Sequence, residues 1–156
     1  MNIKFESSVI FVEDIQKSRH FYETILGQKV TADFGVNIGF EGGFAIFQRK
    51  YAHDVIFGRD MEYGLNNLEL YFECGEIDEA VSGLQENDVK FIHAMVEQPW
   101  GQRVVRFYDP DGHIVEIGEP LSALVSRLAA SGLNAEQISS KTSLTLEMVN
   151  HFLNEK

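Results

Sequence analysis

The chain has one cysteine, Cys74, three prolines and one tryptophan, and only 13 basic residues against 24 acidic ones. A lone cysteine cannot close an intramolecular disulfide, so no oxidising compartment is implied. No apolar run approaches the ~20 residues of a membrane-spanning helix. The opening residues, MNIKFESS, lack a basic region followed by an apolar stretch. A cytoplasmic protein that does not engage membranes is therefore expected. The formal net charge of −11 lacks the basic footprint that nucleic acid or an anionic bilayer requires. It tolerates a cationic ligand, although solubility alone accounts for such charge. Glycine-rich phosphate loops, CxxC pairs and nucleophile-elbow patterns are all missing. What remains is a chain of 156 residues, 44% of them hydrophobic. That is enough for one substantial core or two small modules sharing one.

The order of elements supplies the first positive signal. Residues 9–12 are β-prone and apolar on both faces, as in a buried strand. Asp14 stands where an N-cap belongs, and Ile15, Ser18, Phe21, Tyr22, Ile25 and Leu26 follow at helical spacing up to Gly27. Strands are expected over 29–33, 36–40 and 44–48, with Glu41-Gly42-Gly43 as the last turn. The same order then recurs. A strand over 68–74 leads to a helix carrying Ile77, Ala80, Val81 and Leu84, then to strands over 89–94, 103–108 and 113–117. Asp109-Pro110-Asp111-Gly112 forms the last tight turn. Two βαβββ modules, residues 1–49 and 67–118, joined by a linker near 50–66, constitute an internal duplication.

Two signatures at the ends of this duplication resemble a known family. Val12-x-Asp14-Ile15-x-x-Ser18-x-x-Phe21-Tyr22-x-x-x-Leu26-Gly27 is similar to the opening pattern of the vicinal oxygen chelate superfamily, the glyoxalase, bleomycin-resistance and extradiol-dioxygenase group. Trp100-Gly101-x-Arg103, with Asp109-Pro110-Asp111-Gly112-His113-x-x-Glu116, is similar to its closing pattern. The resemblance implies an α+β fold in which two βαβββ modules make a cup-shaped mixed sheet over residues 1–118. It also implies homodimerisation, and usually a divalent metal on the cup floor.

In that superfamily the metal ligands come from the first and last strands of each module. Aligning Asp14-Ile15 with Glu76-Ile77 pairs Ser7 with Glu69, and aligning Gly43 with Gly112 pairs Phe47 with Glu116. Metal-binding members usually carry His at the first and third of these slots and Glu at the last, and only Glu116 matches. Ser7 is a poor ligand and Phe47 is none. The expectation is therefore no bound cofactor. Mg²⁺, Mn²⁺, Zn²⁺ or Ni²⁺ held by Glu69 and Glu116 is the alternative, with waters completing an octahedron around a hard ion. Gln48 could serve only after a one-residue slip that would turn its neighbours over.

Without a cation the two carboxylates would repel, raising one pKa and making Glu69 and Glu116 candidate acid–base groups. An ion pair is the competing role for Glu116. If the turn sets Tyr108 opposite His113, Arg103 falls on the same face as Glu116 and can neutralise it. Tyr71 and Trp100 are candidate aromatic walls of a ligand pocket, with core packing as the alternative. His93, which alternates with Val89 and Phe91, joins Ser7, Phe47 and Arg103 as a candidate ligand contact. His113 belongs to the turn, His20 to the surface and His53 to the linker.

Residues 119–156 lie outside the repeat. Leu121, Leu124, Val125 and Leu128 mark one helix ending at Gly132, Asn134 caps a second, and Thr145 caps a third. The helix-turn-helix-like spacing comes without net positive charge, so a cap or dimer element is favoured over DNA contact. Three functional readings compete. The chain is a metal-independent small-molecule binder like the bleomycin-resistance group, a glyoxalase-type lyase or isomerase using Glu116 and Glu69, or a ligand-sensing regulator with the tail as output.

Overall fold

The computed structural model describes residues 6–58 and 68–154. Among the described residues eight strands form two four-stranded sheets, ordered β1-β4-β3-β2 and β5-β8-β7-β6. In each sheet the first strand runs parallel to the last, and the other neighbours are antiparallel. This is the duplicated βαβββ, α+β architecture that the sequence implies. The chain divides into two compact units. One is the first module with the Asp109–His113 turn, and the other is built from Leu68–Tyr108 and from Ile114 onward.

In the first unit, β1 (Ser8–Val12) leads through Asp14 into α1 (Ile15–Arg19), with the Asp14 carboxylate accepting from the amides of Gln16 and Lys17. The helix widens to a π-helical turn over His20–Ile25, which turns both Phe21 and Tyr22 inward. Strands β2 (Val30–Asp33), β3 (Asn37–Phe40) and β4 (Phe44–Gln48) complete the sheet. One face supplies the core through Ile10, Val12, Ile38, Phe40, Phe44 and Ile46, all buried with Ile15 and Tyr22. The expected linker begins as helix, α2 (Arg49–Tyr51), widening to a π-helical stretch over Ala52–Phe57 that stops at left-handed Gly58. No capping side chain announces that helix, which is why sequence spacing missed it. The remainder of the linker, 59–66, lies outside the described residues, as do residues 1–5 of the N-terminal stretch.

The Asp109–His113 turn is held from its own backbone outward. Buried Asp109 accepts from the amides of Asp111 and His113, from His113 Nδ1 at 2.8 Å and from the Tyr22 hydroxyl at 2.8 Å. Asp111 accepts from the Glu13 amide and the Ser18 hydroxyl. Both family signatures therefore meet in one hydrogen-bonded cluster. Burial and the Asp109 carboxylate push the Tyr22 hydroxyl far up, so it remains a donor.

In the second unit, β5 (Glu69–Glu73), α3 (Ile77–Glu86), β6 (Phe91–Glu97), β7 (Arg103–Tyr108) and β8 (Ile114–Gly118) repeat the pattern. Strand β6 starts two residues later than expected. Val89 is tied back to Leu84 behind Asp88, whose φ of 54° ends the helix. Val105, Phe107, Val115 and Ile117 form the core face, with Ile77 and Leu84 of α3 also buried. The C-terminal helices α4 (Leu121–Ala130), α5 (Ala135–Thr142) and α6 (Leu146–Asn154) belong to this unit. Leu124, Val125, Leu128, Ile138 and Val149 make their common core. Asn134 and Gln137 form a reciprocal capping box, and the Thr145 hydroxyl accepts from the Met148 amide, so the expected caps are present. Among the described residues no helix is long and apolar enough to cross a membrane.

Candidate functional site

The register of the second sheet decides which side chains share its non-core face. Tyr71 lies beside Glu116, and Glu116 beside Arg106. Residues alternate in facing, so Glu69, Tyr71, Glu73, Arg106, Glu116 and Gly118 are placed on one side. His93 pairs with Arg106 across an irregularity in β6 that leaves Phe91 opposite Phe107 in the core. Its Nδ1 contacts the Ala94 carbonyl at 2.7 Å.

This register corrects the expected partner of Glu116. The network on Asp109 spreads the turn over residues 109–113, so Tyr108 pairs with Ile114 and not with His113. The one-residue shift brings Arg106 beside Glu116, while Arg103 points to the helix side of the sheet. There Arg103 pairs with Asp78 at 3.1 Å and with Glu119 at 3.3 Å, and it does not reach Glu116. Arg103 is thus a structural cation, away from the face on which it was expected to touch a ligand.

Arg106 bridges both candidate acids. Its Nε donates to Glu69 at 2.7 Å, and its Nη2 forms an ion pair with Glu116. Glu116 is only 5% exposed. Desolvation raises its pKa, Glu69 adds to the rise, and Arg106 opposes it. The two acidic slots therefore come together, with a guanidinium between them. Among the described residues no group of three His, Cys, Asp or Glu side chains is placed to hold a metal ion. The donor set itself is a poor fit to a divalent ion, because oxygens of both Glu69 and Glu116 are already engaged by Arg106.

The slots in the first module diverge. Phe47 pairs with Phe11, and the residue two positions before Phe11 is Val9, whereas the residue two positions before Glu116's partner Tyr71 is Glu69. With Phe47 matched to Glu116, the counterpart of Glu69 is therefore Val9, not Ser7. Ser7 precedes β1, and its hydroxyl donates to the Ser8 carbonyl. Phe47 stacks near Phe11 and Tyr51, and Phe11 meets Phe57 edge-on, giving an aromatic cluster. A shallow hollow of about 490 Å³ elsewhere in this unit is lined by Glu13, Asp14, Lys17, Arg49, Pro110 and Asp111. Asp14 and Asp111 are spent on the amide and hydroxyl contacts described above, and Arg49 pairs with Glu13, so it is the weaker candidate.

Tyr71 and Trp100 are half-open, at 47% and 42% exposed, and their polar edges are tied together. Buried Gln102 accepts from Trp100 Nε1 at 3.1 Å and donates to the Tyr71 hydroxyl at 3.1 Å and to the Glu119 carbonyl at 2.7 Å. The Tyr71 hydroxyl donates in turn to Glu73. Gly118 makes room for this ring, since a Cβ there would lie 2.8 Å from the Tyr71 hydroxyl oxygen. Beneath, Glu119, 1% exposed, accepts from Arg103 and from Arg127 of α4 at 2.8 and 2.9 Å. Those bonds hold its pKa below the ordinary carboxylate value against the burial that would raise it. Arg127 also donates to the Gly101 carbonyl, and Lys141 of α5 reaches Glu97.

Sequence spacing missed Arg106, Gln102, Gly118, Glu119 and Arg127. The available signal was Val104-Val105-Arg106-Phe107, a cation inside an apolar strand, which demands a carboxylate on the neighbouring strand.

Comparison with known proteins places this arrangement. The model of the glyoxalase-like domain matches residues 5–122. The chain belongs to that family, within the vicinal oxygen chelate superfamily. Among its relatives is the uncharacterized protein YetH of Bacillus subtilis (strain 168), 28% identical over 114 residues, covering 70% of this chain and 92% of YetH. A crystal structure of a protein of unknown function from Agrobacterium tumefaciens str. C58 is 42% identical, with TM-score 0.69, covering 77% of this chain and 96% of that one. The structure of lactoylglutathione lyase from Agrobacterium tumefaciens matches with TM-score 0.59 at 20% identity, over 74% and 92% of the two chains. That likeness is one of fold.

Proposed function

We propose that this glyoxalase-like protein binds a small molecule on the non-core face of its second sheet without a divalent metal. The observation that carries the reading is Arg106, whose guanidinium engages both Glu69 and Glu116. A fixed internal cation already engages the carboxylates that a metal would have to share. The rings of Tyr71 and Trp100 supply surface for a ligand, as amphipathic aromatics do in small-molecule sites. The reading takes the protein as a cytoplasmic homodimer and the helices after residue 118 as a distinct extension that braces the domain. Elemental analysis of the purified protein after dialysis tests it. Substoichiometric transition metal is expected, and stoichiometric Zn, Ni or Fe lost on replacing Glu116 would overturn it.

A glyoxalase-type lyase is the second reading, favoured by buried Glu116, whose pKa desolvation raises. A positioned carboxyl with a raised pKa can exchange a proton with substrate. In that case Glu116→Gln would cost turnover roughly 10²-fold, whereas a binding protein would keep its affinity for an uncharged ligand.

A further inference from the structure

Arg106 uses only part of its fork on the protein. Nε goes to Glu69 and Nη2 to Glu116, and among the described residues Nη1 has no hydrogen-bond partner. Nor is that nitrogen a buried orphan, and the side chain is 28% exposed. Guanidinium nitrogens are donors only, so whatever completes Nη1 must offer an acceptor. The two glutamates hold the fork in place, and little rotamer freedom is lost when a ligand arrives.

Charge then selects among acceptors. By alternation Glu69, Glu73 and Glu116 share this face with Arg106 and with Tyr108, over whose ring Lys90 Nζ lies at 5.3 Å, so among the described residues three carboxylates meet two cations. A ligand carboxylate would meet Arg106 together with a surplus of negative charge, and an ammonium would offer Nη1 no acceptor. A neutral carbonyl oxygen satisfies both constraints. The neighbouring surface favours a flat body. Tyr71 lies over the bare backbone of Gly118, and Gln102 ties the edges of Tyr71 and Trp100. Rings fixed by their edges offer their faces at small entropic cost.

We propose that Arg106 is the ligand anchor of this face, selecting a neutral planar carbonyl compound whose oxygen meets Nη1 and whose ring stacks on Tyr71. The proposal rests on the metal-independent binding reading above and names its ligand class. Three probes with one ring system isolate the head group: 2-acetylnaphthalene, 2-naphthoate and 2-naphthylmethylammonium. Titrations followed by amide NMR, with the single Trp100 indole signal as reporter, give their relative affinities. The ketone should bind at least ~10-fold more tightly than either charged analogue, the discrimination expected of one hydrogen bond to a charged donor. Arg106→Met should weaken the ketone by roughly 10- to 100-fold on the same grounds. Because that variant leaves two carboxylates facing each other, Arg106→Met with Glu69→Gln and Glu116→Gln serves as the charge-relieved control and should show the same loss.

Equal affinities across the three probes, or ketone binding unmoved by either variant, would overturn the anchor. So would failure of all three to shift the Trp100 signal. If other neutral compounds still stabilise the wild-type protein in a thermal-shift screen, the anchor falls and metal-independent binding stands. Stoichiometric metal in the purified protein would remove the underlying reading instead.

Discussion

The two modules share a fold and differ in chemistry on the face that does not build the core. In the first, that face carries Val9, Phe11 and Phe47, extended by Tyr51 and Phe57. In the second, the corresponding strands carry Glu69, Tyr71 and Glu73 beside Glu116 and Arg106. The core faces are nearly interchangeable, with Ile10, Ile38 and Ile46 in one and Val105, Phe107 and Val115 in the other. Strand alternation makes this separation inexpensive. One parity of residues specifies the sheet and the helix over it, and the other is free to change. A duplicated scaffold can thus hold an aromatic surface in one copy and an ionic network in the other.

The contrast is broken hardest from beneath the charged face. Arg127→Met removes the main partner of Glu119, leaving a nearly inaccessible carboxylate with the guanidinium and backbone amide of Arg103. A loss of roughly 3 kcal/mol in urea unfolding is expected, as for a buried pair that loses one partner. Tyr71 and Trp100 should loosen with it, because Gln102 is fixed by the Glu119 carbonyl. Next comes Arg106→Met, costing about 2 kcal/mol since Arg106 is partly solvated. That loss should shrink as pH falls and Glu116, whose pKa burial raises, is neutralised. The same variant should gain a Mn²⁺ signal by electron paramagnetic resonance that the wild-type protein lacks. A variant that stays blind to Mn²⁺ would mean the guanidinium does not stand between the carboxylates and a cation. On the aromatic face, Phe47→Ala should cost about 1–2 kcal/mol, less than for a fully buried ring, and show no dependence on pH or Mn²⁺. A pH-dependent loss there would contradict the division between the two faces.

Much of this was legible in the chain, for definite reasons. The strand order, the caps at Asp14, Asn134 and Thr145, and the meeting of Glu69 with Glu116 follow from periodicity and from the duplication. The partner of Glu116 did not. Its identity depends on whether the 109–113 turn closes at His113 or one residue later, and that is set by hydrogen bonds to the Asp109 side chain. A one-residue difference exchanges Arg103 for Arg106 and moves a cation through the sheet. Ser7 failed for a related reason. Its equivalence was drawn from the helix start and that of Phe47 from the last turn, and the parallel pairing of β1 with β4 shows that the two cannot both hold. The brace between Glu119 and Arg127 joins residues outside the repeat, where no internal copy exists to compare.

The smallest expected effect separates the units by pH. Both units contain a group with a raised pKa, but the stability consequences have opposite origins. In the first unit His113 is raised chiefly by its hydrogen bond to Asp109. The folded state therefore binds the imidazole proton more tightly than the unfolded chain does. That stabilisation is complete below the ordinary histidine pKa and disappears as pH rises through the higher folded value. In the second unit Glu116 is raised chiefly by desolvation, so its ionisation is a penalty. The penalty is complete above the raised folded value and fades as pH falls through it toward the ordinary carboxylate pKa. His113→Gln, which can keep part of the contact to Asp109, should cost about 1 kcal/mol at pH 6, the typical net worth of one hydrogen bond, and less at pH 8.5. The pH dependence of melting above pH 6 should flatten in this variant and persist in Glu116→Gln, whose own change belongs to the acid side. Melting curves at half-unit pH intervals on both variants make the comparison. If His113→Gln kept the wild-type slope above pH 6, the Asp109–His113 pair would not be the titrating element of the first unit.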